Sequence, residues 1–149
     1  MKTLPSIPDS VLRAESVRID PREITDALVA SMFRTMRECG GVGLAAPQIG
    51  MLYRLAVVEH ASQRFVLVNP VWQSVGKRNI EYGVEGCLSL PGRRFQIGRP
   101  RRIRVTYDVA GEKVTISAEG TLARIFQHEL EHLDGRLVDR GREVTAEAA

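Results

Sequence analysis

The chain has 149 residues, of which 44% are hydrophobic and 26% are charged. This length suits one compact domain, and this composition excludes a chain that is mainly disordered. The net charge of +3 is too small to indicate a nucleic-acid partner by itself. No apolar run is long enough to cross a bilayer and no signal peptide is visible, so we expect a cytoplasmic protein. Two cysteines are too few for a disulfide scaffold.

The first predicted element is a helix that begins near Asp20 and ends at Cys39. Asp20, Pro21 and Glu23 are typical of a helix N-terminus, with a cap, a first-turn proline and a carboxylate at the third position. Two glycines, beginning with Gly40, follow the helix and end it. Between these limits apolar residues recur at helical spacing, at Ile24, Leu28, Met32, Met36 and Cys39.

After Gly50 the pattern changes to short runs that favour strands. Strands are predicted over residues 55–58 and 65–68, and Asn69-Pro70 ends the second. An antiparallel pair is predicted around Gly111, because apolar residues alternate with polar ones on both sides of it, at Ile103, Val105, Tyr107, Val114 and Ile116.

A second helix is predicted over residues 120–134, and Gly135 ends it. Its apolar stripe consists of Leu122, Ile125, Phe126, Leu130 and Leu133. The last residues are polar or small, and we expect a frayed tail over 141–149. The order of elements predicts an α+β fold, in which mixed or antiparallel β-sheets pack around this central helix in a single domain, 1–149.

The second helix carries the segment His128-Glu129-Leu130-Glu131-His132. Positions four apart share one helix face, so both imidazoles can bind one metal ion. H-E-x-x-H is a known zinc-site pattern, with the glutamate as general base. On the helical wheel Glu129 falls on the buried side, whereas Glu131 falls on the polar side, as an outer group or a group that supports a metal ligand. The alternative is an amphipathic helix with two surface histidines.

Two histidines leave a metal short of ligands, because catalytic zinc-type sites take three protein ligands and keep one position for water. Cys87, in Glu85-Gly86-Cys87-Leu88-Ser89, is the available soft donor. A thiolate with two imidazoles suits zinc, iron, cobalt or nickel. The alternative for Cys87 is a small buried hydrophobe. The remaining histidine, His60, is interpreted as an ordinary loop residue.

Small residues fill most of the segment from Gly40 to Gln48. It lacks the lysine of a P-loop and the Rossmann spacing of glycines, which argues against phosphate binding. Small residues instead let the backbone of an extended ligand lie against the chain. Gln48 could donate an amide hydrogen bond to an oxyanion, and the alternative is a surface glutamine.

Taken together, three segments resemble the motifs of the peptide deformylase family. They are GVGLAAPQ at 41–48, EGCLS at 85–89 and QHELEHLDG at 127–135, and their order and spacing also fit. The resemblance covers nearly the whole chain. It implies a hydrolase that removes the formyl group from formyl-methionyl nascent chains of bacteria or organelles and releases formate.

The resemblance implies that Cys87, His128 and His132 hold one divalent metal ion and that Glu129 is the acid/base. The family usually uses Fe²⁺, and Zn²⁺, Ni²⁺ or Co²⁺ can take its place. At Glu131 the family commonly has aspartate instead. If this residue orients a ligand histidine, the added methylene alters the surroundings of the metal slightly.

The resemblance also implies that Gln48 and the backbone N–H of Leu88 stabilise the oxyanion. Phe126 is a further pocket candidate, but its place in the apolar stripe favours the core. The implied substrate-binding residues are Val42, Gly43, Gly86, Arg94 and Ile125.

The implied partners are the formyl-methionyl peptides of nascent chains, in the cytoplasm or in an organelle after removal of a transit peptide. No DNA or membrane partner is predicted. A transient ribosome contact stays open, although the chain ends soon after Arg140, where many family members continue into a longer helix. An arginine-rich stretch over 93–104 could contact RNA; the favoured alternative is a solvated strand face with an Arg99–Glu85 pair.

Three alternative functions remain open. An H-E-x-x-H metalloprotease normally takes its third ligand downstream, and only a short tail follows His132. A structural metal module would need a fourth ligand, for which Cys39 or His60 is available. A deformylase-like amidase could act on another N-acylated substrate.

Overall fold

The computed structural model describes residues 1–77 and 79–145. Its helices are α1 (Asp9–Leu12), α2 (Asp26–Glu38) and α3 (Gly120–Leu133). Its strands are β1 (Gly43–Ala45), β2 (Leu55–His60), β3 (Gln63–Ser74), β4 (Ile80–Cys87), β5 (Leu90–Pro100), β6 (Arg102–Val109), β7 (Glu112–Glu119) and β8 (Arg142–Glu143).

The strands form two antiparallel sheets that meet at α3. The larger sheet has the order β1-β2-β3-β6-β7, and the smaller has the order β4-β5-β8. Helix α3 contacts β1, β2, β3, β6 and β7 of the larger sheet and β5 of the smaller one. The predicted α+β fold with sheets around this helix is therefore confirmed, and so is the strand pair on either side of Gly111.

The larger sheet is covered on both faces, which explains why β2 is apolar at consecutive positions. Ala56 and Val58 face a cluster that includes Phe126 and Leu130 of α3. The alternate residues of β2 face a second cluster on the side of α2, formed with Leu55, Val57, Met32, Phe33 and Met36. Phe126 thus belongs to the core, where its ring meets that of Phe65 edge-on at 5.0 Å between centroids.

The first helix begins later than predicted. Asp20 does cap by accepting from the Arg22 N–H, but the helical segment that it starts is a single 3₁₀ turn, Pro21–Glu23. The chain then becomes extended, and the Thr25 hydroxyl caps α2 by accepting from the Leu28 N–H at 3.1 Å. A second cap inside the predicted helix therefore restarts it one turn later.

The prediction that Asn69-Pro70 ends the second strand is wrong, because β3 continues to Ser74. The pairing register with β6 shifts at this point, so the proline occupies a bulge rather than a strand end. Asn69 has φ +50°, and its side-chain amide stabilises this conformation through both main-chain groups of Ile19 and the Asp108 carboxylate.

The predicted frayed tail is wrong in its first part. Arg142 and Glu143 form β8 by pairing with Gln96 and Phe95 of β5. Residues 146–149 of the predicted tail lie outside the described residues. His60 also differs from its interpretation as a loop residue, since it is the last residue of β2. Within the described ranges no helix has the length and apolar character that crossing a membrane requires.

Candidate active site

The metal-ligating side chains predicted from the sequence come together at one point. Cys87 is the last residue of β4, and His128 and His132 lie one turn apart on α3. Their ligand atoms all lie within 4.8 Å of one another, and Cys87 Sγ is 3.3 Å from His132 Nε2. In the described part of the chain, neither Cys39 nor His60 belongs to this cluster.

The donors of this cluster fit a divalent cation. One thiolate and two imidazoles can supply three ligands of a tetrahedral site, in which the fourth position is left for water. Beside them lies Glu129, whose buried Oε1 has no hydrogen-bond partner among residues 1–77 and 79–145. A buried carboxylate oxygen without a partner is costly, so this atom marks a place where a polar group is expected.

The two histidines differ in their protonation. Burial lowers the pKa of His132 well below its usual value, so its ring is neutral, the form that binds metals. Burial also lowers the pKa of His128, but contacts with Cys87 and Glu85 outweigh it and raise this pKa to about 10.

Glu85 holds the ring of His128 in place. Its carboxylate accepts four hydrogen bonds: two from Arg99, one from Arg124 and one at 2.9 Å from His128 Nδ1. Burial alone would raise the pKa of Glu85, but the hydrogen bonds from His128 and Arg99 lower it below its usual range. Because Nδ1 is engaged by this fixed anion, Nε2 of His128 remains for a cation.

The helical-wheel prediction that Glu131 lies on a polar face is wrong. It is buried and accepts from Arg99 and, through two hydrogen bonds of 2.6 and 2.7 Å, from Arg140. Arg99 is only 1% exposed, so the interpretation of its strand face as solvated is wrong at this residue. The predicted Arg99–Glu85 pair is present, and Arg99 joins both carboxylates in one network.

Glu129 is placed by the backbone of β1. A Cβ atom on Gly43 would lie 2.5 Å from Glu129 Oε2, so only glycine lets the strand come this close. Burial raises the pKa of Glu129 to about 7. A carboxyl group with this pKa can both accept and donate a proton near neutral pH.

Gln48 is 2% exposed, which excludes the alternative of a surface glutamine. Its Oε1 accepts from the Ala45 N–H at 2.9 Å, and this contact orients the amide. Its Nε2 donates to Ser89 Oγ at 3.2 Å and lies 3.8 Å from Cys87 Sγ. The amide protons of Gln48 are therefore directed toward the cluster of metal-ligating side chains.

A cleft of about 990 Å³ opens beside this cluster. Residues 85–94, from Glu85 to Arg94, form one wall, and Gly40–Gly43 lie in another part of the lining. Sequence reasoning missed Thr121 and Arg124, which line the cleft from α3. The residues predicted to bind substrate all line it: Val42, Gly43, Gly86, Arg94 and Ile125.

Residues 1–146 match the family model described as polypeptide deformylase. The chain belongs to the polypeptide deformylase family. The peptide deformylase of Lachnoclostridium phytofermentans is 41% identical over 136 residues, which are 87% of this chain and 81% of the relative. That of Dictyoglomus thermophilum is 36% identical over 148 residues, 97% and 95% of the two chains.

Solved structures of deformylases share this fold. The peptide deformylase of Thermus thermophilus superposes with a TM-score of 0.84 at 39% identity, covering 93% of this chain and 84% of that one. The Synechococcus elongatus deformylase, solved in complex with actinonin, has a TM-score of 0.82 at 36% identity, with 93% and 79% covered.

As a deformylase, the chain is a metal-dependent hydrolase that removes the N-terminal formyl group of formyl-methionyl nascent polypeptides and releases formate. Its relatives include bacterial proteins and a chloroplast deformylase of rice. The three candidate ligand side chains lie together, and two of them, Cys87 and His128, line the cleft, so a substrate in the cleft can reach a hydrolytic metal held there.

Proposed function

We propose that Cys87, His128 and His132 hold one divalent cation and that Glu129 is the acid/base of formyl hydrolysis. One observation carries this proposal: three ligand atoms within 4.8 Å of one another adjoin a buried carboxylate whose Oε1 has no partner in the described residues. We propose Fe²⁺ as the ion in the cell. Zn²⁺, Ni²⁺ and Co²⁺ suit the same donors.

The reaction needs a nucleophile, a proton carrier and donors for the developing charge. A divalent cation held by Cys87, His128 and His132 would make hydroxide available at neutral pH, because such an ion lowers the pKa of water toward ~7. Glu129 accepts the proton at its carboxylate and returns it to the departing amine nitrogen. Gln48 Nε2 and the Leu88 N–H donate to the formyl oxygen as it becomes negative, and losing one such donor costs roughly 10²–10³ in kcat.

The peptide binds in an extended form between the two sheets. β1 and β4 are the outer strands of their sheets on the side of the cleft, and they carry Gly43 and Gly86. Main-chain groups there pair with the substrate backbone, as in the addition of a strand. The first side chain of the substrate lies against Val42, Ile125 and the stem of Arg94.

The protein works where formyl-methionyl chains are made, in a bacterial cytoplasm or in an organelle. Ribosome contact stays a prediction. RNA binding by the arginine-rich stretch stays the less favoured alternative. Four arginines of this stretch are engaged in ion pairs: Arg93, Arg99, Arg101 and Arg102.

The acid/base role is tested with Glu129→Gln, which keeps the shape of the side chain and removes its proton exchange. The protein is purified without oxygen, its metal is analysed, and formate release from a formyl-Met peptide is measured. We expect metal content to persist and kcat to fall by about 10²–10⁴. Glu119→Gln, an exposed change at the start of α3, serves as the control. Undiminished formate release by Glu129→Gln would contradict the role.

A further inference from the structure

Arg124 has an unusual set of contacts for an arginine in the wall of a cleft. It lies on α3 one turn before His128. Its Nη1 donates to Glu85 Oε2 at 2.6 Å and to the Ile97 carbonyl at 3.2 Å, and its Nη2 donates to the Glu81 carbonyl at 2.5 Å. The guanidinium therefore joins α3 to both β4 and β5.

These contacts place Arg124 two hydrogen bonds away from the candidate metal. Glu85 accepts from Arg124 on Oε2 and from His128 Nδ1 on Oε1. A shift of the Arg124 guanidinium therefore moves the carboxylate that orients the His128 ring.

Arg99 also binds Glu85, but a molecule bound in the cleft cannot contact Arg99. The Arg99 side chain is 1% exposed, and the Arg124 side chain is 18% exposed and lines the cleft beside Thr121 and Ile125. Of the arginines that bind Glu85 within the described residues, Arg124 is the one that a bound peptide can touch.

The absence of a side chain at Gly83 of β4 leaves room for this guanidinium. A Cβ atom on Gly83 would lie 3.1 Å from Arg124 Cζ and 3.3 Å from Nε, closer than a relaxed contact. The backbone of Gly83 has no positive φ, so alanine can adopt it. Gly83→Ala is therefore a way to displace Arg124 without removing its charge.

We propose that Arg124 is a positioning residue that connects the side-chain wall of the substrate cleft to His128 through Glu85. This inference rests on the proposed metal site. It predicts that a peptide in the cleft and a cation on His128 affect each other's binding, and that the effect is reciprocal because the coupling is thermodynamic.

The proposal is tested by the affinity for Co²⁺, measured in competition with a chelator on the folded protein. We expect Arg124→Met to bind Co²⁺ about 10-fold more weakly, which is the lower end for loss of a group that supports a metal ligand. Arg124→Lys keeps a donor within reach of Glu85 and recovers part of the loss. Gly83→Ala weakens binding in the same direction. The control is Arg102→Met, which removes an exposed arginine paired with Glu119.

A second measurement tests the connection to the cleft. The unformylated peptide Met-Ala-Ser is added while a chelator removes Co²⁺. The peptide should slow the loss of Co²⁺ from the wild type, and this protection should disappear in Arg124→Met. A purely structural role would lower the stability of the metal-free chain without removing the protection.

Two failures are distinguishable. If folded Arg124→Met binds Co²⁺ as tightly as the wild type, or keeps the protection by peptide, the positioning role is overturned. If Cys87→Ser binds Co²⁺ as tightly as the wild type, the proposed metal site itself is wrong, whatever Arg124 does.

Discussion

Glu85 and Glu129 are buried carboxylates beside the same cluster, and their surroundings are opposite. Glu85 accepts four hydrogen bonds, and its pKa is lowered although burial opposes this. Glu129 Oε1 accepts none from the described residues, and burial raises the pKa of this group to about 7. A saturated carboxylate stays charged and fixed, whereas an unsaturated one can exchange a proton. Two identical side chains thus acquire different tasks from their neighbours.

The largest expected effect comes from replacing Arg99, which helps to keep the carboxylate of Glu85 charged. Arg99→Met leaves Glu85 and Glu131 buried without their shared cation. We expect a loss of about 3–5 kcal/mol in the free energy of unfolding, since breaking a buried pair is costly and Arg124 and Arg140 then compensate the two carboxylates only in part. Urea unfolding of the metal-free chain measures it.

Arg102→Met is the matched control for Arg99→Met, because its ion pair with Glu119 is exposed on both sides. Exposed pairs contribute about 0–1 kcal/mol. Equal losses in the two variants would mean that the charge of Glu85 does not depend on Arg99.

The next prediction distinguishes the roles of Glu85 and Glu129 directly. In Glu85→Gln the acceptor of His128 Nδ1 loses its charge, and we expect Co²⁺ affinity to fall by about 10–100-fold. In Glu129→Gln the affinity should stay unchanged, because no hydrogen bond joins Glu129 to either histidine in the described residues. Competition with a chelator measures both. If the two variants lose the same affinity, the division of tasks is wrong.

The elements predicted correctly are those that depend on neighbours in sequence. Helix α3 and the strand pair around Gly111 follow from local periodicity, and the clustering of Cys87, His128 and His132 at one point follows from motifs. The errors lie where contacts between residues far apart in the sequence determine the local structure. Strand β3 continues past Asn69 because the side-chain amide of this residue forms hydrogen bonds with Ile19 and Asp108. Neither contact is visible in the local sequence pattern.

The sequence predicted the Arg99–Glu85 pair, but the burial of this pair beside the candidate metal site was missed for a similar reason. An arginine in an arginine-rich stretch is usually solvated, and the contacts that bury Arg99 come from β4 and α3. One signal in the sequence could have predicted the burial of Arg99. Phe95, Ile97 and Arg99 alternate along β5 and are all buried, so the strand period places Arg99 on an inward face.

A smaller effect is expected where β1 touches Glu129. Gly43→Ala places a Cβ atom 2.5 Å from Oε2 and 2.7 Å from Cδ of Glu129, so the carboxylate must move. We expect kcat for formate release to fall about 10-fold or more, because small displacements of a catalytic group are costly. Co²⁺ affinity should stay unchanged, since Gly43 does not support the ligands. Loss of both would mean that the substitution disturbs the whole site.

The smallest effect concerns Glu131, which the helical wheel assigned to the polar face and which is buried against Arg99 and Arg140. Glu131→Asp restores the residue common in the family and shortens the side chain by one methylene. It then cannot keep every contact, and we expect a loss of about 1 kcal/mol in stability with activity unchanged.

A double-mutant cycle with Arg140→Met shows which contact carries the Glu131 effect. If the Arg140 pair is what the shorter side chain loses, the two changes are less than additive, because each removes the same interaction. Additive effects would mean that Glu131 depends on Arg99 alone. Glu131 would then resemble Glu85, a carboxylate kept charged by the buried arginine, and the comparison with Glu129 would extend to a third side chain.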